Sequence, residues 1–131
     1  MIVLDTSVVS LVFKGDPRSG FYLPHLTGQR AVVSFQTVEE LWYGAYKAGW
    51  GPRQKNKLAL HLEQYEVVWP DVETADISAN LRVERERVAR RLNTADAWIA
   101  ATALRLACPL ASDDGDFDDI PSLRLIRAPH P

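Results

Sequence analysis

From Ala97 to Ala107 almost every residue is apolar, enough for about three turns of helix. A helix that is hydrophobic all round has no face to offer water and is buried. Yet this one opens on a carboxylate, Asp96. A few residues past its end Leu110-Ala111-Ser112 reads as a short strand, then Asp113-Asp114-Gly115-Asp116 as an acidic turn anchored by Phe117. An ionised carboxylate beside a dry core is costly unless something pairs with it. Acids bracket one buried helix, so a cation is expected between them, either a metal ion or an arginine.

The rest of the chain alternates strand and helix. Ile2-Val3-Leu4 is a run of β-formers, followed by a turn at Asp5-Thr6-Ser7 and a helix through Phe13. A short, loose helix is expected within Pro17 to Gly28, because of Gly20 and Pro24. Arg30 to Ser34 reads as the second strand, with Ser34 capping a helix from Phe35 to Ala48. Phe35, Val38, Leu41, Trp42, Ala45 and Tyr46 form its apolar stripe. Gly49-Trp50-Gly51-Pro52 breaks it, and a further helix runs from Arg53 to Gln64 with Leu58, Leu62 and His61 inward. Glu66 to Trp69 is a third strand, stopped by Pro70. Asp71 to Arg91 reads as one long helix with Ile77, Leu81, Val88 and Leu92 on its apolar face. Leu123 to Ile126 is a last strand. The pattern predicts one α/β domain over residues 1–131, three layers deep, with a mainly parallel central sheet of four to five strands.

In such a sheet the carboxyl ends of all strands lie on one edge, where ligands bind. Asp5 follows the first strand, Asp114 and Asp116 the fourth, and Asp96 opens the buried helix. Two of these have plainer explanations: Asp5 as a helix cap and Asp96 as an acid favoured by the helix dipole. Periodicity puts Glu40 opposite the core stripe, as a solvated residue. If the acids converge, their repulsion must be relieved by protons or by metal. Oxygen ligands without nearby Cys or His select Mg²⁺ or Mn²⁺ over zinc. A carboxylate-held Mg²⁺ commonly works on phosphates, so a metal-dependent phosphodiester hydrolase is the chemistry the residues suggest. The net charge of −2 does not announce a nucleic-acid binder, so affinity for a polyanion would be local. The single cysteine, Cys108, excludes a disulfide framework and suits a cytoplasmic protein. No signal peptide and no membrane span are expected.

Four stretches, in order, resemble the motifs of PIN-domain ribonucleases, and specifically the VapC toxins of prokaryotic toxin–antitoxin pairs. They are Val3-Leu4-Asp5-Thr6-Ser7; Ser34 to Leu41 with Gly44 behind it; Ala95-Asp96-Ala97-Trp98-Ile99-Ala100-Ala101-Thr102; and Leu110 to Phe117. The resemblance implies that Asp5, Glu40, Asp96 and Asp114 are catalytic, metal-binding carboxylates, with Asp116 beside them. It prefers Glu40 to Glu39 because Leu41 follows, and Asp114 to Asp113 because Asp114-Gly115-Asp116-Phe117 fixes the register. Ser7 and Ser112 match hydroxyls that orient carboxylates. The implied activity is endoribonuclease cleavage by metal-activated water, with Mg²⁺ or Mn²⁺, leaving a 5′-phosphate and a 3′-hydroxyl. The implied partners are RNA (tRNA among the targets), a VapB-type antitoxin and a second copy of the chain. RNA contacts are expected from Lys47, Arg53, Lys55 and the Arg82–Arg91 face, Arg82 and Arg85 among them. Trp42, Tyr43, Tyr46 and Trp50 are available for interfaces or for the core.

Three other readings compete. A metal-free ribonuclease would need His25, His61 and His130 to converge. A phosphoacceptor receiver would need a lysine late in the chain, and none follows Lys57. A catalytically silent module would keep the fold and act only in an antitoxin–DNA complex.

Overall fold

The computed structural model describes residues 1–130. Five strands alternate with helices: β1 (Ile2–Leu4), α1 (Thr6–Lys14), α2 (Ser19–Leu26), β2 (Ala31–Ser34), α3 (Phe35–Lys47), α4 (Pro52–Leu62), β3 (Glu66–Val68), α5 (Val72–Arg87), α6 (Thr94–Leu106), β4 (Leu110–Ala111) and β5 (Leu125–Ile126). A single 3₁₀ turn, Gly115–Phe117, follows β4. The strands lie in the order β3-β2-β1-β4-β5, and every neighbouring pair is parallel. The expected α/β/α class holds, with the sheet at five strands.

Strand alternation builds two cores. Val3, Val32 and Leu110 point to the face covered by α5 and α6, where they meet Leu81, Ile99, Ala100, Ala103 and Phe117. Ile2, Leu4, Val33 and Ala111 point to the other face, against Val8, Val9, Tyr22 and Tyr65, with Val38 and Leu41 of α3 packed alongside. Each fully buried Val, Leu or Ile contributes about 1.5–3 kcal/mol of burial. Helix α6 is buried as its composition requires: Ala97, Ile99, Ala100, Ala101 and Ala103 are at most 0% exposed.

The order of strands fixes where a ligand can sit. From β1 the chain steps outward to β2 and then β3, and next crosses to the other side of β1 to lay down β4. The reversal opens a crevice beyond the carboxyl ends of β1 and β4. Asp5 is the residue after β1, and Ser112 the residue after β4.

Several local expectations change. Helix α5 ends at Arg87, not Arg91, because the chain turns left-handed at Ala89 (φ 55°). Val88 is thereby 60% exposed rather than part of the apolar face. Tyr46 drops out of the α3 stripe and stands 68% exposed, its ring under the Lys55 ammonium at 5.2 Å. Helix α2 is a regular two-turn helix despite Pro24. Among the described residues no helix is long and apolar enough to cross a membrane.

Candidate metal centre

Asp5 caps α1 and stands beside the other acids. Its backbone is extended, it precedes α1, and its carboxylate accepts from the Ser7 amide at a long 3.4 Å. The stronger bonds come from hydroxyls: Ser7 Oγ at 2.7 Å and Ser112 Oγ at 2.8 Å. All three donors land on Oδ2, and none of them uses Oδ1. Each serine in turn accepts a backbone amide from the loop after β4. Ser7 Oγ takes the Asp113 N–H at 3.0 Å, and Ser112 Oγ takes the Asp114 N–H at 3.0 Å. Two hydroxyls therefore clamp the acidic loop of β4 onto the acid of β1. Burial pushes the Asp5 carboxyl up, and the two serine hydroxyls pull against that.

Asp96 is freed from capping by its neighbour. Asn93 caps α6, its Oδ1 accepting the Asp96 amide at 2.7 Å. The Asp96 carboxylate is left to face the crevice. There its oxygens group with those of Asp114 and Asp116, one from each acid, all within 4.8 Å of one another. Asp114 also accepts the Asp116 amide at 2.9 Å, which closes the 3₁₀ turn and aims both acids at Asp96. Burial above all, and then the charges of Asp5, Asp114, Glu40 and Asp116, push the Asp96 carboxyl up to about 7.

Glu40 corrects the periodicity argument. It is half-buried, whereas Glu39 beside it is exposed. Burial first, and the Asp5 charge second, raise its carboxyl. Its Oε1 is buried and has no hydrogen-bond partner. The helix face opposite the core stripe is not solvent here but a wall of the crevice. Asp5 and Glu40 stand outside the tight group of three, close enough to act on it by charge.

Asp113 points elsewhere. It accepts from the Tyr22 hydroxyl and lies 3.7 Å from Arg18 and 3.3 Å from His130. The same Tyr22 hydroxyl accepts the Ala128 amide at 3.0 Å, so Asp113 ties the C-terminal segment down rather than joining the other acids.

The cation expected between the acids is not an arginine. Among the described residues no lysine, arginine or histidine comes within 4.0 Å of a carboxylate oxygen of Asp5, Glu40, Asp96, Asp114 or Asp116. Five acids act on one another, one holds a buried oxygen with no donor, and none has a cationic partner. That donor set, all carboxylate oxygen, fits a hard divalent cation. It gives zinc no nitrogen or sulfur ligand.

Of the candidate RNA-binding residues, Lys47 and Arg53 are exposed and Lys55 half-exposed, at the α3–α4 turn. Lys47 lies two turns after Glu40 on the same helix face, about 10 Å along the axis. Arg82 is half-buried. Arg85 is a correction: it is 3% exposed, and its guanidinium donates to the carbonyls of Asp119 (3.2 Å) and Asp118 (3.1 Å). It holds the loop after the 3₁₀ turn and has no face for a substrate. The histidines do not converge: His25 packs on Phe21, His61 on Tyr65 and Phe13, and His130 on Asp113. Two further residues that shape the site carry a signal in the sequence. Asn93 stands three residues before Asp96, the spacing of a helix cap. Thr6, next to Asp5, donates to Thr37 at 3.1 Å and ties α1 to α3 one turn below Glu40.

The PIN domain model matches residues 2–123. The chain belongs to the PIN domain family. This PIN domain is 30% identical to ribonuclease VapC5 of Mycobacterium tuberculosis, over 95% of this chain and 93% of that protein. Among solved structures it resembles VapBC-5 from Mycobacterium tuberculosis, a member of the VapBC family of toxin–antitoxin systems, at TM-score 0.71 and 30% identity. The match covers 96% of this chain and 97% of that one. VapBC2 from Rickettsia felis, bound to a DNA fragment from its promoter, superimposes at TM-score 0.86 over 98% of this PIN domain and 100% of that chain. At 23% identity it speaks for the fold alone.

Proposed function

We propose that this PIN domain is a Mg²⁺- or Mn²⁺-dependent endoribonuclease, the toxin of a VapBC-type pair. The observation that carries the reading is the convergence of Asp5, Glu40, Asp96, Asp114 and Asp116 with no basic side chain among them. Asp96, Asp114 and Asp116 would hold the ion, and Asp5 and Glu40, whose Oε1 has no hydrogen-bond partner, would add negative charge beside it. A bound divalent ion supplies charge for an incoming phosphate and lowers the pKa of a coordinated water. The chain's own part is placement. Ser7 and Ser112 fix Asp5 and the β4 loop as one unit, Asn93 fixes Asp96, and the 3₁₀ turn fixes Asp114 and Asp116. Substrate enters from the open side at Asp116, the most exposed of the three grouped acids. RNA as substrate, and an antitoxin of the VapB kind as partner, rest on the ribonuclease and VapBC relatives. A cytoplasmic homodimer is part of the same reading.

The test is cleavage of total cellular RNA by the purified full chain with Mg²⁺ or Mn²⁺, beside EDTA and Asp96→Asn controls, with the ends mapped. Metal-dependent cuts bearing 5′-phosphates and lost in the variant are expected. Cleavage that survives EDTA, or no cleavage by folded metal-loaded protein, overturns the reading; the second result leaves a silent module that acts only through its complexes.

A further inference from the structure

The end of α5 carries a feature the acidic centre does not use. Beyond Arg87 the helix closes with paired reverse bonds: the Ala89 amide donates to the Glu86 carbonyl at 3.1 Å, and the Arg90 amide to the Arg85 carbonyl at 2.8 Å. The turn needs left-handed backbone at Ala89, a conformation that disfavours any residue with a Cβ. Its effect is to bring Arg90 and Arg91 against the 3₁₀ turn. With Ala89, Gly115 and Asp116 they line a cavity of about 280 Å³. Asp116 belongs to both this cavity and the group of three acids, so the two sites share a wall. Arg90 is anchored on Asp119 at 2.8 Å. Arg91 is exposed and forms no ion pair among the described residues.

We propose that Arg91, with Arg90 behind it, holds a phosphate of single-stranded RNA next to the one that lies at the carboxylates. The inference rests on RNA being the substrate. A guanidinium presents a planar fork of donors that matches a phosphate, and it stays charged beside an acid. The only apolar side chain in the lining is the methyl of Ala89, so the cavity lacks the buried apolar anchor on which a peptide partner would depend. A chain whose net charge is −2, with an acidic centre, needs a local cationic foothold to keep a polyanion near that centre. Of the arginine face from Arg82 to Arg91, Arg85 is spent on loop carbonyls and Arg90 on Asp119, while Arg91 lines the cavity beside Asp116 without an ion pair among the described residues.

The experiment measures binding without turnover. Asp96→Asn protein, full length, is titrated with a fluorescein-labelled single-stranded RNA 12-mer of mixed sequence across a salt series. Arg91→Gln is added to that background, and Arg30→Gln serves as the charge-matched control, since Arg30 pairs with Glu66 on the far edge of the sheet. Circular dichroism confirms folding of each. Arg91→Gln is expected to weaken binding about tenfold. It should also lower the slope of log K against log salt by about 0.7, one phosphate contact on a single strand. Arg30→Gln should change neither. In the active background, Arg91→Gln should raise KM more than it lowers kcat. Equal losses in Arg91→Gln and Arg30→Gln would reduce the effect to overall charge and overturn the proposal. So would an unchanged slope, or an acidic peptide whose binding Arg91→Gln weakens while RNA binding stands. RNA that binds through Arg91 but is never cut would overturn the nuclease reading and leave this one in place.

Discussion

At one end of the α5–α6 pair, Asp71 caps α5 and its carboxyl is held down at about 2, by the Thr74 hydroxyl and amide first and by Arg105 after them. At the other end, Asp96 sits in the first turn of α6 and its carboxyl is pushed up to about 7. Both acids stand where a helix dipole favours negative charge, so the dipole does not decide between them. Burial and neighbours do. Asp71 is on the surface, and the guanidinium of Arg105, in the last turn of α6, reaches it at 3.1 Å. Glu73 shares the same arginine at 3.3 Å. At the opposite end two arginines have other partners, Arg85 gripping the carbonyls of Asp118 and Asp119 and Arg90 the Asp119 carboxylate, and Arg91 forms no ion pair among the described residues. Asp96 meets only other acids. One end of the helix pair has its acids paired within the chain, and at the other the grouped acids have no cationic partner among the described residues.

The largest expected contrast is in activity. Asp96→Asn should reduce RNA cleavage more than a hundredfold, since loss of a ligand should exceed the roughly 10–100-fold cost typical of outer-shell changes. Asp71→Asn should leave cleavage unchanged. Equal loss in both would erase the distinction between the two ends. Single-turnover cleavage assays with Mn²⁺ measure it.

The next contrast is in the pH dependence of folding. A carboxyl whose folded pKa lies above its unfolded value makes the folded state hold more protons between the two, so stability falls as pH rises through that window. For Asp96 the window runs from 3.8 to about 7, and the upward shifts of Asp5 and Glu40 act in the same direction. Metal-free protein should melt several degrees lower at pH 7.5 than at pH 5. Mg²⁺ or Mn²⁺ should restore the loss at pH 7.5, and Asp96→Asn should flatten the profile. A melting temperature that rises across this range in EDTA would mean that the acids are already relieved by the protein.

Asp71 has the opposite sign. Its depressed pKa gives stability that is present above 3.8 and lost as pH falls from 3.8 to about 2. The smallest effect expected is from Arg105→Gln. It should raise the Asp71 pKa toward 3.8, read by NMR titration, and lower the melting temperature by about a degree or two, as exposed ion pairs do. An unmoved Asp71 pKa would assign its depression wholly to Thr74.

Much of this is legible in the amino-acid sequence. The apolar run after Asp96 could only be a buried helix, and strands starting at Ile2, near Arg30, at Glu66 and at Leu110 fell where β-formers and turn residues put them. The short-range clues were sound because they depend on neighbours in sequence: Ser34 caps α3, and Asp114 closes the turn before Phe117. A helix face need not be either core or solvent. Glu40 lies opposite the core stripe, and a third environment, a crevice between elements, receives it. The same two-way choice misplaced Arg85, an arginine turned inward to satisfy two carbonyls, and Val88, stranded by the left-handed turn at Ala89.

By itself the sequence determined the alternation of elements, the burial of α6 and the number and kind of acids, because periodicity, capping and solvation cost are properties of short stretches. Only the tertiary structure decided which of those acids meet. Asp5 and Ser112 are 107 residues apart in the chain and 2.8 Å apart in space, because the order of strand addition reverses at β1 and sets β4 parallel beside it. It also decided that no arginine would answer them, since an arginine's partner depends on which loop the fold lays against it: Arg105 found Asp71, and Arg85 found two carbonyls.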